Sequence, residues 1–172
     1  MRKLLYLMLL MMGVACSSID CPVENVVSTQ YQVLDTSGTK LKLTDTLTVI
    51  SKRLDGKDTS LLDPTLYNKG INISEFSLPI SYSHPEDILL FHFDNTVVSD
   101  SVNINLHVVD TVWVQKVDIP HFESVDCNSS FFHELTGVRC THNYIDSIVI
   151  KNTSVTYDAG TVHFLLYPKI SH

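Results

Sequence analysis

Apolar and polar residues alternate with a period of two through most of the chain after residue 26. In the first such run, Val27, Thr29, Tyr31 and Val33 share one side. A period of two places one side of an extended segment against a core and the other in water, and Val, Thr and Tyr suit that half-buried surface. The same pattern predicts further strands at residues 41–49, 102–108, 144–150 and 162–166.

Turn residues separate these runs and complete the prediction of the fold. Clear clusters of Asp, Asn and Gly lie at residues 35–38, 54–57, 68–70 and 157–160, and weaker breaks lie at 94–95 and 110–111. The nearly continuous apolar run at 88–93 is typical of a central strand. No segment of ten residues shows a helical period. About eight short strands predict an all-β fold, a single antiparallel β-sandwich of the immunoglobulin-like type or a similar one.

The first fifteen residues have the layout of a secretory signal peptide. Arg2 and Lys3 form a basic head, residues 4–14 are apolar, and small residues precede Cys16. This apolar run is shorter than the roughly 20 residues that a membrane-spanning helix needs. The sequence therefore predicts a signal peptide at residues 1–15 and export of the rest of the chain.

The end of this segment, GVAC at residues 13–16, resembles the lipobox of bacterial lipoproteins. The resemblance implies cleavage before Cys16 and lipid on its sulfur, and two or three acyl chains anchor a protein stably. Residues 16–25 then form a lipidated cysteine and short tether of about 30 Å, at ~3.3 Å per residue, and residues 26–172 form the sandwich domain. The expected partner of Cys16 is the membrane, and the expected location is the cell envelope, at the outer membrane.

Charge excludes one class of partner. The chain has 12 Lys and Arg against 19 Asp and Glu, a net charge of −7. Removal of residues 1–15 takes away Arg2 and Lys3, which leaves 10 against 19, or −9. No basic patch stands out, and nucleic-acid binding requires clustered Lys and Arg to neutralise phosphates. We therefore expect no nucleic-acid partner.

Residues 121–142 are rich in metal-binding residue types, namely His121, Cys127, His133, Cys140 and His142. Structural zinc sites usually bring their ligands in close pairs, and here only the last two residues are close. The other gaps are five or six residues long, and an oxidising compartment works against free thiolates. We therefore expect no metal site, with zinc as the less favoured alternative.

The cysteines offer a disulfide instead. With Cys16 lipidated, Cys21, Cys127 and Cys140 remain, so at most one intramolecular bridge can form. A hairpin could join Cys127 to Cys140, whereas a bridge from Cys21 would attach the tether to the domain. The spacing does not rank these pairings, and we expect Cys127 as one partner with the other left open.

Six short segments carry a resemblance that extends over most of the exported chain. They read DCP (20–22), SLPI (77–80), DTVWV (110–114), PHFESVDC (120–127), THNYIDSI (141–148) and VTY (155–157). With them the chain resembles a family of small uncharacterised lipoproteins from Bacteroides-type gut bacteria, a domain of unknown function that supplies no active site. The resemblance implies a lipoprotein with a β fold, and it favours Cys21 as the partner of Cys127 because both lie in the similar segments.

A short motif fits the same source. Four tripeptides resemble the Asp-Ser/Thr-apolar sites at which such bacteria attach O-glycans, with Thr46, Ser101, Thr111 and Ser147 as the possible glycan positions. An aspartate that ends a turn before a β-prone residue gives the same tripeptide without any modification. A glycan also requires a solvent-facing side chain, so we expect one or two of the four to be accessible.

Catalytic motifs are missing from the sequence. It has no Gly-x-Ser-x-Gly elbow, phosphate-binding glycine loop, calcium loop or paired-cysteine motif. Glu86 and Asp87 are neighbours, but adjacent side chains of a strand point in opposite directions. His133 and Glu134 begin a zinc-protease motif that Gly137 fails to complete. We therefore expect no enzyme activity and no cofactor.

Two functions remain. The first is a membrane-anchored envelope lipoprotein acting as a structural or protein-interaction module with an envelope protein as partner. The alternative is a carbohydrate-binding accessory of a nutrient-uptake system, with Tyr67, Tyr82, Trp113 and Phe122 as candidate ligand aromatics. An exposed Trp113 beside a second ring favours the ligand function. A buried Trp113 together with an unprotected strand edge favours the partner function.

Overall fold

The computed structural model describes residues 27–52, 64–99, 102–122, 124, 127 and 130–169, with the backbone alone for 97–99 and 102–104. The signal peptide and tether therefore lie outside the described residues. Ten strands are present: β1 Ser28–Val33, β2 Thr46–Ser51, β3 Thr65–Gly70, β4 Glu75–Pro79, β5 Glu86–Ser99, β6 Val102–His121, β7 Ser130–Cys140, β8 Ile145–Ile150, β9 Ser154–Val155 and β10 Phe164–Pro168.

The strands form two sheets that face each other as a sandwich. The four-stranded sheet has the order β4-β1-β10-β8, and the six-stranded sheet has the order β3-β2-β5-β6-β7-β9. The all-β sandwich is confirmed, with ten strands rather than about eight. The expectation of a wholly antiparallel fold is wrong for one pair, because β1 lies parallel to β10. These strands come from the two ends of the described chain, so no tight turn has to join them.

Aromatic rings fill the space between the sheets. The ring of Tyr31 in β1 stacks on Phe76 of β4, with centroids 4.9 Å apart, and on Phe164 of β10, at 4.7 Å. Phe91 of β5 meets Tyr31 edge-on from the opposite sheet at 6.0 Å. All four rings are buried. Burial of each apolar side chain contributes roughly 1.5–3 kcal/mol to folding, and the alternation that predicted β1 arises because these residues face this core.

Strands β5 and β6 form one long hairpin, and the two weaker breaks predicted inside them are wrong. Asp94 and Asn95 continue β5, where they pair with His107 and Leu106 of β6. Asp110 continues β6, where it pairs with Phe91. The run at 88–93 is confirmed as part of a central strand, because β5 lies between β2 and β6.

Asp110 fixes the crossing from the six-stranded to the four-stranded sheet. It is fully buried, and its carboxylate accepts hydrogen bonds from Thr141 Oγ1 (2.6 Å) and from the backbone N–H groups of Asn143 (2.6 Å), Tyr144 and Ile145 (both 2.7 Å). Burial by itself raises the pKa of Asp110, but these hydrogen bonds lower the pKa more, and it lies below its usual range. The carboxylate thus holds the segment between β7 and β8 in place.

We expect Asp110→Asn to lower the free energy of unfolding by about 2–4 kcal/mol, because an amide is a weaker acceptor and its NH₂ group faces buried N–H donors. Asp146→Asn, at an exposed position of β8, is the matched control and should change stability by less than about 0.5 kcal/mol. Urea unfolding of both variants measures the difference. Equal stability of the two variants would contradict the role of Asp110.

Candidate functional site

The most elaborate group of side chains lies where β6 ends and β7 begins. His121 pairs with Ser130 across these two strands. The loop after β4 reaches the same place, because the ring of Tyr82 stacks on Phe131, with centroids 5.5 Å apart and planes 6° from parallel. We call this region the β6–β7 end.

A buried ionic cluster lies beneath this end. The Lys116 ammonium, whose side chain has no exposed surface, donates to Asp118 Oδ1 (2.7 Å) and to the backbone carbonyl of His84 (2.7 Å). The same Asp118 oxygen lies 2.7 Å from His133 Nδ1. Lys116 thereby ties the loop at His84 to the six-stranded sheet, and Asp118 orients the imidazole of His133.

The cluster also sets the protonation of its members. Burial, the largest effect, lowers the pKa of His133, although the hydrogen bond to Asp118 opposes it. Burial raises the pKa of Asp118, but the hydrogen bonds from Lys116 and His133 outweigh it and lower that pKa. At neutral pH the cluster therefore holds an ionised Asp118 beside a neutral His133 that donates through Nδ1.

The outer side of the β6–β7 end is apolar and exposed. Val117 is 55% exposed, Ile119 46% and Phe122 67%. We call these three residues the apolar strip. Beside it, the rings of His121 and Phe132 stack with centroids 4.0 Å apart, and Tyr157 meets Phe132 edge-on at 5.0 Å. Ile119 pairs with Phe132 across the two strands, so this group of rings lies next to the apolar strip.

Strand β7 separates the residues proposed for a zinc site. His121 and Cys127 lie near its start, whereas Cys140 and His142 lie at its far end, roughly 33 Å away at ~3.3 Å per residue. His133 is held by Asp118 between them. Within the described part of the chain, no group of three or more His, Cys, Asp and Glu residues is arranged to hold a metal ion.

The same separation excludes the hairpin disulfide between Cys127 and Cys140. Residues 130–140 run as one strand, so Cys127 cannot meet Cys140, and that pairing is wrong. Cys140 is a buried, free cysteine whose Sγ lies 3.4 Å from His142 Nδ1. Burial raises the pKa of the Cys140 thiol, which makes it unreactive at neutral pH. Cys16 and Cys21 lie outside the described residues.

The four candidate ligand aromatics divide into two pairs. The ring of Trp113 is half-buried and covered by the Arg139 guanidinium, 3.7 Å from its centroid, and no described aromatic ring stacks on it. Tyr67 packs on Phe76 of the core at 5.5 Å. Tyr82 and Phe122 are 69% and 67% exposed, so only these two present open faces.

The four O-glycan positions lie apart from one another. Thr46 begins β2 after a bend at residues 44–45, Thr111 lies within β6, and Ser147 lies within β8. All three are half-buried, and Ser101 lies outside the described residues. A turn followed by a strand accounts for the tripeptide at Thr46 but not for the one at Thr111.

Sequence reasoning missed the buried carboxylate of Asp110, the partly buried carboxylate of Asp118 and the buried ammonium of Lys116. Asp110 and Lys116 lie on the same side of β6 as Val112 and Val114, and this side faces the core. A charged residue at a core-facing position is a signal of a buried polar network. The sequence pattern therefore contained a signal for buried charges on β6. Their hydrogen-bond partners can be identified only from the pairing of the strands.

No helix in the described part of the chain is long and apolar enough to cross a membrane.

Two buried histidines should make the fold acid-sensitive. Burial lowers the pKa of His133 and of His163, and His163 Nδ1 accepts the N–H of Gln30 at 3.0 Å, which requires an unprotonated nitrogen. The unfolded chain takes up these protons near pH 6.5 before the folded chain does, so stability should fall as pH drops below about 6.5.

Urea unfolding at pH 7.5 and pH 5.0 measures this loss. His163→Gln, whatever its stability at pH 7.5, should lose less on acidification than the unaltered protein. His84→Gln, at an exposed position, should keep the full dependence. An identical pH dependence in all three proteins would show that His163 does not couple folding to protons.

Of three comparisons with known proteins, one found a match, to a family model. A search of curated proteins and a search of solved structures each found no match. A family model matches residues 46–168, from the first residue of β2 to the last residue of β10. The match omits β1, the strand between β4 and β10, and covers more than half of the chain. The chain therefore belongs to the Family of unknown function (DUF6452).

Proposed function

We propose that this protein is an envelope lipoprotein of a Bacteroides-type bacterium, anchored in the outer membrane by lipid on Cys16. Its sandwich acts as a non-catalytic module that docks another envelope protein through the apolar strip. The observation that carries this proposal is the strip itself. Seven large hydrophobic residues are exposed in the described part of the chain, and three of them, Val117, Ile119 and Phe122, lie within six consecutive positions.

The strip has the physical character of a protein-binding surface. Val117 and Ile119 are β-branched residues on the part of β6 that pairs with β7, so little conformational entropy is lost when they are covered. The rings of His121, Phe132 and Tyr157 extend the surface. Contiguous apolar surface of this kind marks protein interaction sites, and the partner it fits presents an apolar face.

We also propose that a disulfide between Cys21 and Cys127 attaches the tether to the β6–β7 end. Cys140 is free and buried, and it lies at the far end of β7 from Cys127. Cys16 is reserved for lipid, which leaves Cys21. In the chain-entropy model, a bridge closing a loop of about 100 residues contributes roughly 4–5 kcal/mol.

The path of the chain supports this pairing. Ser28 begins β1 beside Pro79, which ends β4. Three residues later comes Tyr82, whose ring stacks on Phe131 at the β6–β7 end. Cys21 precedes Ser28 by seven residues, a reach of about 23 Å, whereas Cys140 lies at the opposite end of β7. With this bridge, Cys16 is about 17 Å of extended chain from the β6–β7 end, so the apolar strip sits close to the membrane.

A single observation favours the alternative, a carbohydrate-binding accessory of a nutrient-uptake system. Tyr82 is 69% exposed and rests flat on Phe131, so one face of a rigidly held ring is open for stacking on a sugar. Trp113 does not add to this surface, because the Arg139 guanidinium lies over its ring.

A photo-crosslinking residue at position 119 should yield one discrete crosslinked product in cells, because Ile119 lies at the centre of the proposed interface. The same residue at position 71 is the matched control, since Ile71 is 61% exposed but lies outside the strip. Val117→Lys, added to the position-119 protein, should reduce the product at least tenfold, because it places a charge in the apolar contact.

Immunoblots of irradiated cells measure the product. No product at position 119, or the same product at position 71, would contradict docking through the strip. A glycan array distinguishes the alternative: binding that Tyr82→Ala abolishes and Val117→Lys leaves unchanged would favour the carbohydrate function.

A further inference from the structure

Two histidines face each other on the outer side of the six-stranded sheet, away from the β6–β7 end. His92 of β5 pairs with Val109 of β6, and Asp94 pairs with His107, so the two imidazoles are diagonal neighbours. Their rings are 5.3 Å apart, and His92 Nδ1 lies 3.4 Å from His107 Nε2. These two imidazole nitrogens are therefore close enough to contact one small ligand.

Asp94 determines which nitrogen of His107 is available. Its Oδ1 lies 2.5 Å from His107 Nδ1, so Nδ1 carries the proton and donates it to the carboxylate. In the neutral tautomer that this contact selects, the lone pair of His107 is on Nε2, the nitrogen next to His92 Nδ1. A carboxylate on the far nitrogen of a histidine is the common support of a metal-binding imidazole, because it fixes the tautomer and raises the basicity of the other nitrogen.

The distance between the two nitrogens fits a shared metal ion better than a hydrogen bond. An N–H group and a ring nitrogen in a good hydrogen bond are about 3.0 Å apart. Two nitrogens that bind one tetrahedral Zn²⁺ at 2.0–2.1 Å are roughly 3.3–3.4 Å apart, which matches the 3.4 Å observed. Among the described residues, His92 Nε2 is buried without a hydrogen-bond partner, so the polar contact of this ring is the one that Nδ1 makes with His107 Nε2.

We propose that His92 Nδ1 and His107 Nε2 form a two-imidazole binding site for Zn²⁺, with Asp94 as the positioning residue of His107. Two protein ligands leave the remaining coordination positions to water, in keeping with the absence of any three-residue ligand group in the described part of the chain. The side chains of His107 and Asp94 are 54% and 51% exposed, so the ion reaches the site from solvent. This site is independent of the proposed docking function.

Calorimetric titration of ZnCl₂ into the tag-free chain from residue 16 onward tests the site. We expect one ion per chain with a micromolar Kd. His92→Gln and His107→Gln should each weaken binding at least tenfold, because one of the two ligands is lost. Asp94→Asn should weaken it about tenfold through the orientation of His107. His84→Gln, at an exposed histidine elsewhere, should bind as the unaltered protein does.

Long-range ¹H–¹⁵N spectra of the imidazoles supply a second readout that a change in folding would not imitate. Zinc should shift His92 Nδ1 and His107 Nε2 and leave His107 Nδ1 protonated, and in Asp94→Asn the same two nitrogens should shift at higher zinc concentration. No binding at 1 mM ZnCl₂ would overturn the proposal. So would zinc that shifts other histidines, or affinity unchanged in His107→Gln.

Discussion

The carboxylate of Asp110 is the contact on which the arrangement of the two sheets depends. The chain leaves the six-stranded sheet at Cys140 and enters the four-stranded sheet at Ile145, and the backbone N–H groups at the end of this crossing need acceptors. One carboxylate on β6 accepts three of these N–H groups and the Thr141 hydroxyl. The crossing places β8 beside β10, and a buried backbone group without such a partner costs about 1–3 kcal/mol.

A second polar group organises the opposite end of the sandwich. The Lys116 ammonium joins the His84 carbonyl to Asp118, and Asp118 joins β6 to His133 of β7. A buried ion pair is weak evidence for stability in itself, but here it fixes one loop and two strands relative to each other. The apolar strip is mounted on this frame, so core-facing charge and outward-facing apolar surface alternate along the same stretch of β6.

The alternation of apolar and polar residues predicted the strands whose core-facing positions are apolar. It failed where a polar or charged side chain occupies such a position. The period-two runs located β1 and β8, and the nearly continuous apolar run at 88–93 located the central part of β5. Strand β7 was not among the period-two runs, because His133, Glu134 and Arg139 interrupt its apolar pattern. Asp110 read as a turn residue, because aspartate is common in turns, although the fold uses it as a buried acceptor. The sequence left the cysteine pairing open, because spacing alone does not show how far apart Cys127 and Cys140 lie. The straight path of β7 separates them in the structure.

Intact-mass spectrometry of the protein purified from its native membrane tests the anchored, disulfide-bonded module most directly. Thiols are alkylated under denaturing conditions, before and after reduction. We expect a chain that begins at Cys16 and carries acyl mass, with one cysteine alkylated before reduction, which is Cys140, and three after it. A lipid-free chain would contradict the anchor. Three cysteines alkylated before reduction would contradict the bridge between Cys21 and Cys127.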